Sequence, residues 1–306
     1  MNQEEVNNIE SIEIYPRVFV YKNVFKDVEK NYQILKESTE NNDDRLFGYW
    51  STWSRFGEYI KDCLSEKYRQ QIIDNTKLAE HWSLLKYKNI DSLKCKTKIQ
   101  EDQKNFLLEL IGGFHLVTQD YAKKHGIDIN DDIKVLDDDG NLTAQWKMEG
   151  PSIVKYKNDF KESLAMHYHS DYVWEPIFSP GDKFAITALA YFNDDYEGGE
   201  IDFAVGDDLY KYKPEAGDYL VFPSGHPDVL TANGKVYLHG VFPAKGPNKY
   251  LSRMYWRMYT KGSKEWYEKE KEFGKDVWAS MQPEIMENFR LENLKKNQTL
   301  GKNRIK

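Results

Sequence analysis

The chain has 306 residues, with 43 Lys and Arg against 50 Asp and Glu, for a formal charge of −7. That acidic balance, with no long basic run, excludes a nucleic-acid partner that would need to neutralise phosphates. Only two cysteines occur, Cys63 and Cys95, without a CxxC pair, which speaks against a disulfide framework or thiolate zinc site and for a reducing compartment.

The opening "MNQEEVNNIESIEIYPRVFV" is polar and acidic where a secretion signal needs a basic start and an apolar core. No apolar run approaches the roughly 20 residues that cross a bilayer. A cytoplasmic protein with no membrane partner is therefore expected. Aromatics make up 14 % of the chain, including 21 Tyr and 8 Trp, a composition that suits ring-lined pockets and ring-rich cores alike.

In chain order, Val18 to Tyr21 reads as a strand that feeds a helix with apolar residues at Val28, Tyr32 and Leu35. A second helix follows in "EDQKNFLLELIGGFHLVTQDYAKKHG", whose apolar stripe is Leu107, Leu110, Phe114, Val117 and Tyr121. Gly126 closes it, and Gly112-Gly113 weakens its middle. From about residue 150 to 260 the texture changes to short β-rich runs: "PSIVKY", "FAITALAYF", "EIDFAV", "GDYLVFP", "KVYLHGVFP" and "KYLSRMYWRMY". Such runs predict an antiparallel sandwich or barrel. Beyond Gly262 the pattern turns charged and helical, with Trp266, Phe273 and Trp278 as anchors. No repeat and no Pro/Gly/Ser linker divides the chain. One domain over 1–306 is expected, with 1–150 as mostly helical support, 151–260 as the β-rich core and 261–306 as a helical extension.

Chemistry concentrates in "AMHYHSDYVW", residues 165 to 174. In a strand or its turn, residues i and i+2 point the same way, so His169 and Asp171 can reach one point. Two imidazoles and one carboxylate on one face of an ion are the ligand set of non-haem Fe(II) enzymes that activate oxygen. His167 shares that parity, but a facial set that leaves room for co-substrate and oxygen has no place for it. The third ligand is open between His226, in the loop-like "FPSGHPD", and His239, in the strand-like "YLHGVFPAKG". Lys249 stands ten residues after His239 and could pair with an anionic co-substrate, and Lys235 stands at nearly that distance from His226.

The stretches "HSD", "YFNDDYEGGEIDF", "KPEAGDYLVFPSG" and "HGVFPAKGPNKYLSRMYW" follow one another as in the prolyl 4-hydroxylase-like Fe(II)/2-oxoglutarate dioxygenases. The chain resembles that family from about Pro151 to Trp256, and more weakly over "VFVYKNVFKDVEKNYQILKE". The resemblance implies an α+β fold: a double-stranded β-helix, or cupin-like jelly roll, buttressed by N-terminal and C-terminal helices. It implies Fe(II) held by His169, Asp171 and His239. It also implies 2-oxoglutarate gripped by Lys249 beside Tyr191 and Tyr156, with ascorbate as reductant. His239 is preferred because the Pro, Gly, Lys-Tyr and Trp landmarks follow it. About a dozen extra residues, "HPDVLTANGKVYL", part it from "FPSG", so His226 stands as the rival ligand.

Arg253 shares the strand parity of Lys249, as a second clamp or a substrate contact. Tyr172 and Trp174 are further candidate substrate contacts. The implied reaction is hydroxylation of an unactivated C–H bond, with conversion of 2-oxoglutarate to succinate. Asp171 separates it from halogenating relatives that lack the carboxylate ligand. The substrate, a prolyl peptide or else a free amino acid or other small molecule, is left open. A non-catalytic jelly-roll binding protein has no need of all four polar residues, and a zinc hydrolase finds no HExxH helix.

Overall fold

In the computed structural model, the described residues are 9–40, 51–52, 79–83, 94–129, 134–136, 142–148, 151–156, 166–171, 182–205, 208–224 and 237–259. They open on β1 (Glu10–Tyr15) and β2 (Val18–Lys22), an antiparallel pair turned at Arg17, which takes φ 63°. Next come α1 (Val28–Glu40), β3 (Ser51–Thr52), β4 (Ala79–Ser83) and α2 (Lys98–Lys124). Three short strands follow, β5 (Lys134–Leu136), β6 (Leu142–Ala144) and β7 (Trp146–Met148). The rest of the described chain is almost all strand: β8 (Ser152–Tyr156), β9 (Met166–His169), β10 (Asp182–Tyr191), β11 (Glu197–Gly198), β12 (Ile201–Val205) and β13 (Asp208–Tyr212). It ends in β14 (Tyr219–Pro223), β15 (Leu238–Val241), β16 (Ala244–Lys245) and β17 (Lys249–Tyr259).

Eight of these strands wind into two facing sheets. One holds β14-β10-β17-β8 and the other β13-β12-β15-β9, every pair antiparallel. Numbered one to eight along the chain, the first, eighth, third and sixth share one sheet, and the second, seventh, fourth and fifth share the other. That order is a jelly roll, the double-stranded β-helix. The short β11–β16 pair joins the loops between.

The helices lie on the outer face of the larger sheet. Period-two alternation along β10 sends Ile186, Ala188 and Ala190 to the helix side and Leu189 and Tyr191 into the roll. On the helix side, the expected stripe of α2 packs down, with Leu107, Leu110, Phe114, Val117 and Tyr121 all buried. Thr97 caps its start by accepting from the Gln100 amide at 3.2 Å, and Gly126, at φ 65°, ends it. The helix runs unbroken through Gly112-Gly113. At Gly113 a Cβ would overlap the Tyr219 hydroxyl, so the missing side chain lets the helix settle onto β14. Close approach repays the lower helix propensity.

Residues 1–150 supply more than helical support. β1 and β2 extend the larger sheet beyond β14, and β4 and β3 extend it beyond β8. The strand and helix expected over residues 18–35 are β2 and α1. The helical extension expected over 261–306 lies outside the described residues.

Candidate metal centre

β9 and β15 are neighbours in the smaller sheet, and the register sets His239 directly opposite His169. Their rings lie 4.3 Å apart between centroids. Asp171, two residues beyond the end of β9, turns its carboxylate toward both. His169 Nε2 is 3.7 Å from Asp171 Oδ1, and His239 Nε2 is 3.7 Å from Asp171 Oδ2. Ligand atoms from all three residues lie within 4.8 Å of one another. Two atoms each bonded at about 2.1 Å to one ion are at most about 4.2 Å apart, so each 3.7 Å gap can be bridged by a single ion. The gaps are too long for hydrogen bonds. Buried His239 also keeps Nδ1 without a hydrogen-bond partner. The donor set, with each imidazole at bridging distance from the Asp171 carboxylate, fits a divalent ion held by two imidazoles and a carboxylate.

Burial raises the Asp171 pKa, but the imidazoles of His239 and His169 and the Thr187 hydroxyl outweigh it and hold the acid well below the usual carboxylate range. His239 is pushed down to about 3, first by burial and then by His169, with Asp171 opposing. Near neutral pH the site therefore offers an ionised carboxylate and a neutral imidazole, the forms a metal needs.

Asp171 is itself held in place. Thr187, on the inner face of β10, donates to Oδ2 at 2.8 Å, and the Tyr255 hydroxyl of β17 donates to Oδ1 at 3.3 Å. Thr187 Oγ1 also lies 2.6 Å from Ser224 Oγ, and Ser170 donates to the Ser224 carbonyl at 2.7 Å. Such partners fix the orientation of a ligating carboxylate. Sequence reasoning missed Thr187, Tyr255, Ser170 and Ser224. The available signal was parity: Tyr255 is two residues beyond Arg253 on the same strand face.

Lys249 begins β17 opposite Tyr156 of β8 and is 1 % exposed. Its ammonium donates to the Gly199 carbonyl at 2.6 Å. It stands 5.2 Å from the ring centre of Tyr191, 5.9 Å from Tyr156 and 5.7 Å from Tyr196. Burial and the nearby Lys213 push its pKa down to about 7, against the pull of Glu200. A buried cation without a full counter-charge is a ready receptor for an anion. Tyr196, in "NDDYEGGE", completes the ring cage and was not singled out from the sequence. Tyr156 links this end to the metal cluster: burial raises it to about 12, and it feels both Arg253 and Asp171.

No family model matches this chain, and comparison with curated protein sequences finds no match. Solved structures similar to it include the viral collagen prolyl hydroxylase of Paramecium bursaria Chlorella virus-1 in its 2OG complex. There the identity is 14 % over 79 % of this chain and 96 % of that one, with a TM-score of 0.40. Another is the Arabidopsis thaliana dioxygenase for auxin oxidation with 2-oxoglutarate, at 12 % identity over 81 % and 85 %, TM-score 0.47. A third is the Trichoplax adhaerens prolyl hydroxylase with a hypoxia inducible factor peptide fragment, at 12 % over 83 % and 86 %, TM-score 0.44. The jelly-roll assignment rests on the strand pairing of this chain.

Of the residues singled out in the sequence, His169, Asp171 and His239 converge, and Tyr156, Tyr191 and Lys249 meet at a second point of the same interior. Arg253, half-buried, gives its Nε–H to Ser152 Oγ at 3.0 Å and sits 5.6 Å from the Tyr255 ring centre. His226, Lys235, Tyr172 and Trp174 lie outside the described residues, as does the side chain of His167 in β9. No helix among the described residues is long and apolar enough to cross a membrane.

Proposed function

We propose that this protein is an Fe(II)- and 2-oxoglutarate-dependent oxygenase that hydroxylates an unactivated C–H bond, with 1–306 forming one catalytic domain. The observation that carries this reading is the pairing, in one roll interior, of the His169–Asp171–His239 cluster with the buried cation of Lys249. A plain binding module needs neither, and burying an ammonium without an anion to receive costs stability.

In this reading His169, Asp171 and His239 hold the iron, and Lys249 receives the far carboxylate of 2-oxoglutarate, with Tyr191 and Tyr156 as walls. Iron and 2-oxoglutarate, when bound, supply the oxygen chemistry: O2 is consumed, 2-oxoglutarate becomes succinate and CO2, and one oxygen atom enters a substrate C–H bond. The protein's share is positioning. Thr187 and Tyr255 fix the plane of the Asp171 carboxylate. The three tyrosine rings hold water away from Lys249, which strengthens its attraction for a carboxylate. Both a prolyl peptide and a small molecule suit this chemistry as substrate, ascorbate is the natural reductant, and a cytoplasmic setting suits the unpaired Cys95.

Purified protein incubated with 2-oxoglutarate should release succinate when Fe(II) and ascorbate are present, and the release should stop on chelation. Tight 2-oxoglutarate binding with no iron-dependent succinate would instead leave a non-catalytic jelly roll.

A further inference from the structure

The segment Tyr-Glu-Gly-Gly, residues 196 to 199, carries the carbonyl that holds the Lys249 head. Gly198 and Gly199 take φ 68° and 69° in succession, a left-handed pair that glycine allows at no steric cost. A Cβ at Gly198 would come within 2.5 Å of the Pro243 carbonyl oxygen, and one at Gly199 within 2.5 Å of the Tyr196 ring. The Gly199 amide donates to the Pro243 carbonyl at 2.9 Å, and the Gly199 carbonyl accepts from Lys249 at 2.6 Å. This one residue therefore ties the chain just beyond β15, the strand of His239, to the buried ammonium.

A second lysine holds the same segment. Lys213, the first residue after β13, donates to the carbonyls of Tyr196 at 2.9 Å and Gly198 at 2.6 Å, and its ammonium lies 3.6 Å from the centre of the Tyr196 ring. A lysine that only covered a surface would keep its head in water. Here burial lowers its pKa, against the pull of Glu200 and Asp194. Two ammoniums thus bond successive carbonyls, Lys213 that of Gly198 and Lys249 that of Gly199. An ammonium has three donors, and with one of them at Gly199, the direction of the other two follows from where that carbonyl stands. The groups facing the Lys249 head are the rings of Tyr156, Tyr191 and Tyr196, with Lys213 and Glu200 as the charges.

Building on the iron and 2-oxoglutarate reading, we propose that Lys213 is a positioning residue of the co-substrate site, which fixes the Tyr196–Gly199 segment and, through the Gly199 carbonyl, the point at which the Lys249 ammonium meets the far carboxylate of 2-oxoglutarate. After burial, the charge of Lys213 is also what lowers the Lys249 pKa, so it sets how high in pH that ammonium survives.

Anaerobic calorimetry of 2-oxoglutarate on the full chain loaded with Fe(II), from about pH 6 to about pH 9, tests this. Below the pH at which Lys249 loses its proton, Lys213→Met should weaken 2-oxoglutarate by about tenfold, while Fe(II) affinity stays near that of the wild type. In the wild type the affinity starts to fall above about pH 7. In Lys213→Met the fall should begin at a higher pH, because the like charge beside Lys249 is gone. Lys213→Arg keeps the charge and can stack on Tyr196, so it should recover part of the affinity and start to fall where the wild type does. If Lys213→Met does not fold, Lys213→Gln, which keeps two N–H donors without the charge, carries the pH test. Wild-type affinity in Lys213→Met overturns the proposal, and so does a fall that begins at the wild-type pH once the charge is removed. A loss shared equally by Fe(II) and 2-oxoglutarate overturns it too, and makes Lys213 a structural residue only. The underlying reading fails separately, if wild-type protein with Fe(II) binds no 2-oxoglutarate.

Discussion

The two faces of β17 are both covered, and they are built in opposite ways. Toward the helices, Tyr250 meets Tyr32 of α1 edge-on at 5.8 Å, and Met254 and Trp256 pack in the apolar layer. There the single polar atom of Trp256, Nε1, is satisfied by Thr118 of α2 at 2.9 Å. Toward the roll, Lys249, Arg253 and Tyr255 alternate with Leu251, and each polar head meets a named partner. One face spends its burial on stability. The other accepts costly buried charge, which is tolerable because the helix-side layer supplies the cohesion.

If that division holds, substitutions on the two faces should separate function from folding. The largest expected effect is at His239: His239→Ala should abolish Fe(II)-dependent succinate release while the circular dichroism spectrum stays that of a folded protein, and His226→Ala should leave iron affinity near wild type. The reverse pattern would move the third ligand to His226. On the helix face, Trp256→Ala should cost about 3–5 kcal/mol in urea denaturation, from lost burial and the cavity left behind. A loss under about 1 kcal/mol would show that this face does not carry the stability assigned to it.

Lys249→Ala should weaken 2-oxoglutarate by roughly a hundredfold or more while iron still binds, because the anion loses its buried partner. The pH dependence sharpens this. Free Lys249 is protonated below about pH 7 and loses its proton above it. Since 2-oxoglutarate needs the ammonium, affinity should be flat below about pH 7 and fall about tenfold per unit above it. A flat profile to pH 9 would mean that another cation holds the anion. The smallest effect is expected at Thr187: Thr187→Val removes the hydrogen bond to Asp171 Oδ2 and should weaken iron binding about tenfold. Unchanged iron affinity would make Thr187 a packing residue only.

Much of this was legible before any coordinates. The stripe of α2, the strand runs and the His-x-Asp triplet are local patterns, fixed by backbone periods of 3.6 and 2.0. Strand β13, "DLYKY", escaped notice because its exposed, polar residues dilute the alternation. Gly112-Gly113 looked like a weak point in the helix because propensity is a local quantity, whereas the fit of Gly113 over Tyr219 is not.

What the chain order determined by itself is which residue types could form a site: a triplet with two ligands, candidate third histidines, and cations at matching parity on a later strand. Only the folded structure brought one of those histidines opposite His169, because the register between β15 and β9 depends on strands that are far apart in sequence. The same holds for Thr187 and Tyr255, which reach Asp171 from two other strands. Periodicity tells which face a side chain takes. What it meets there is set by contacts that no local pattern records.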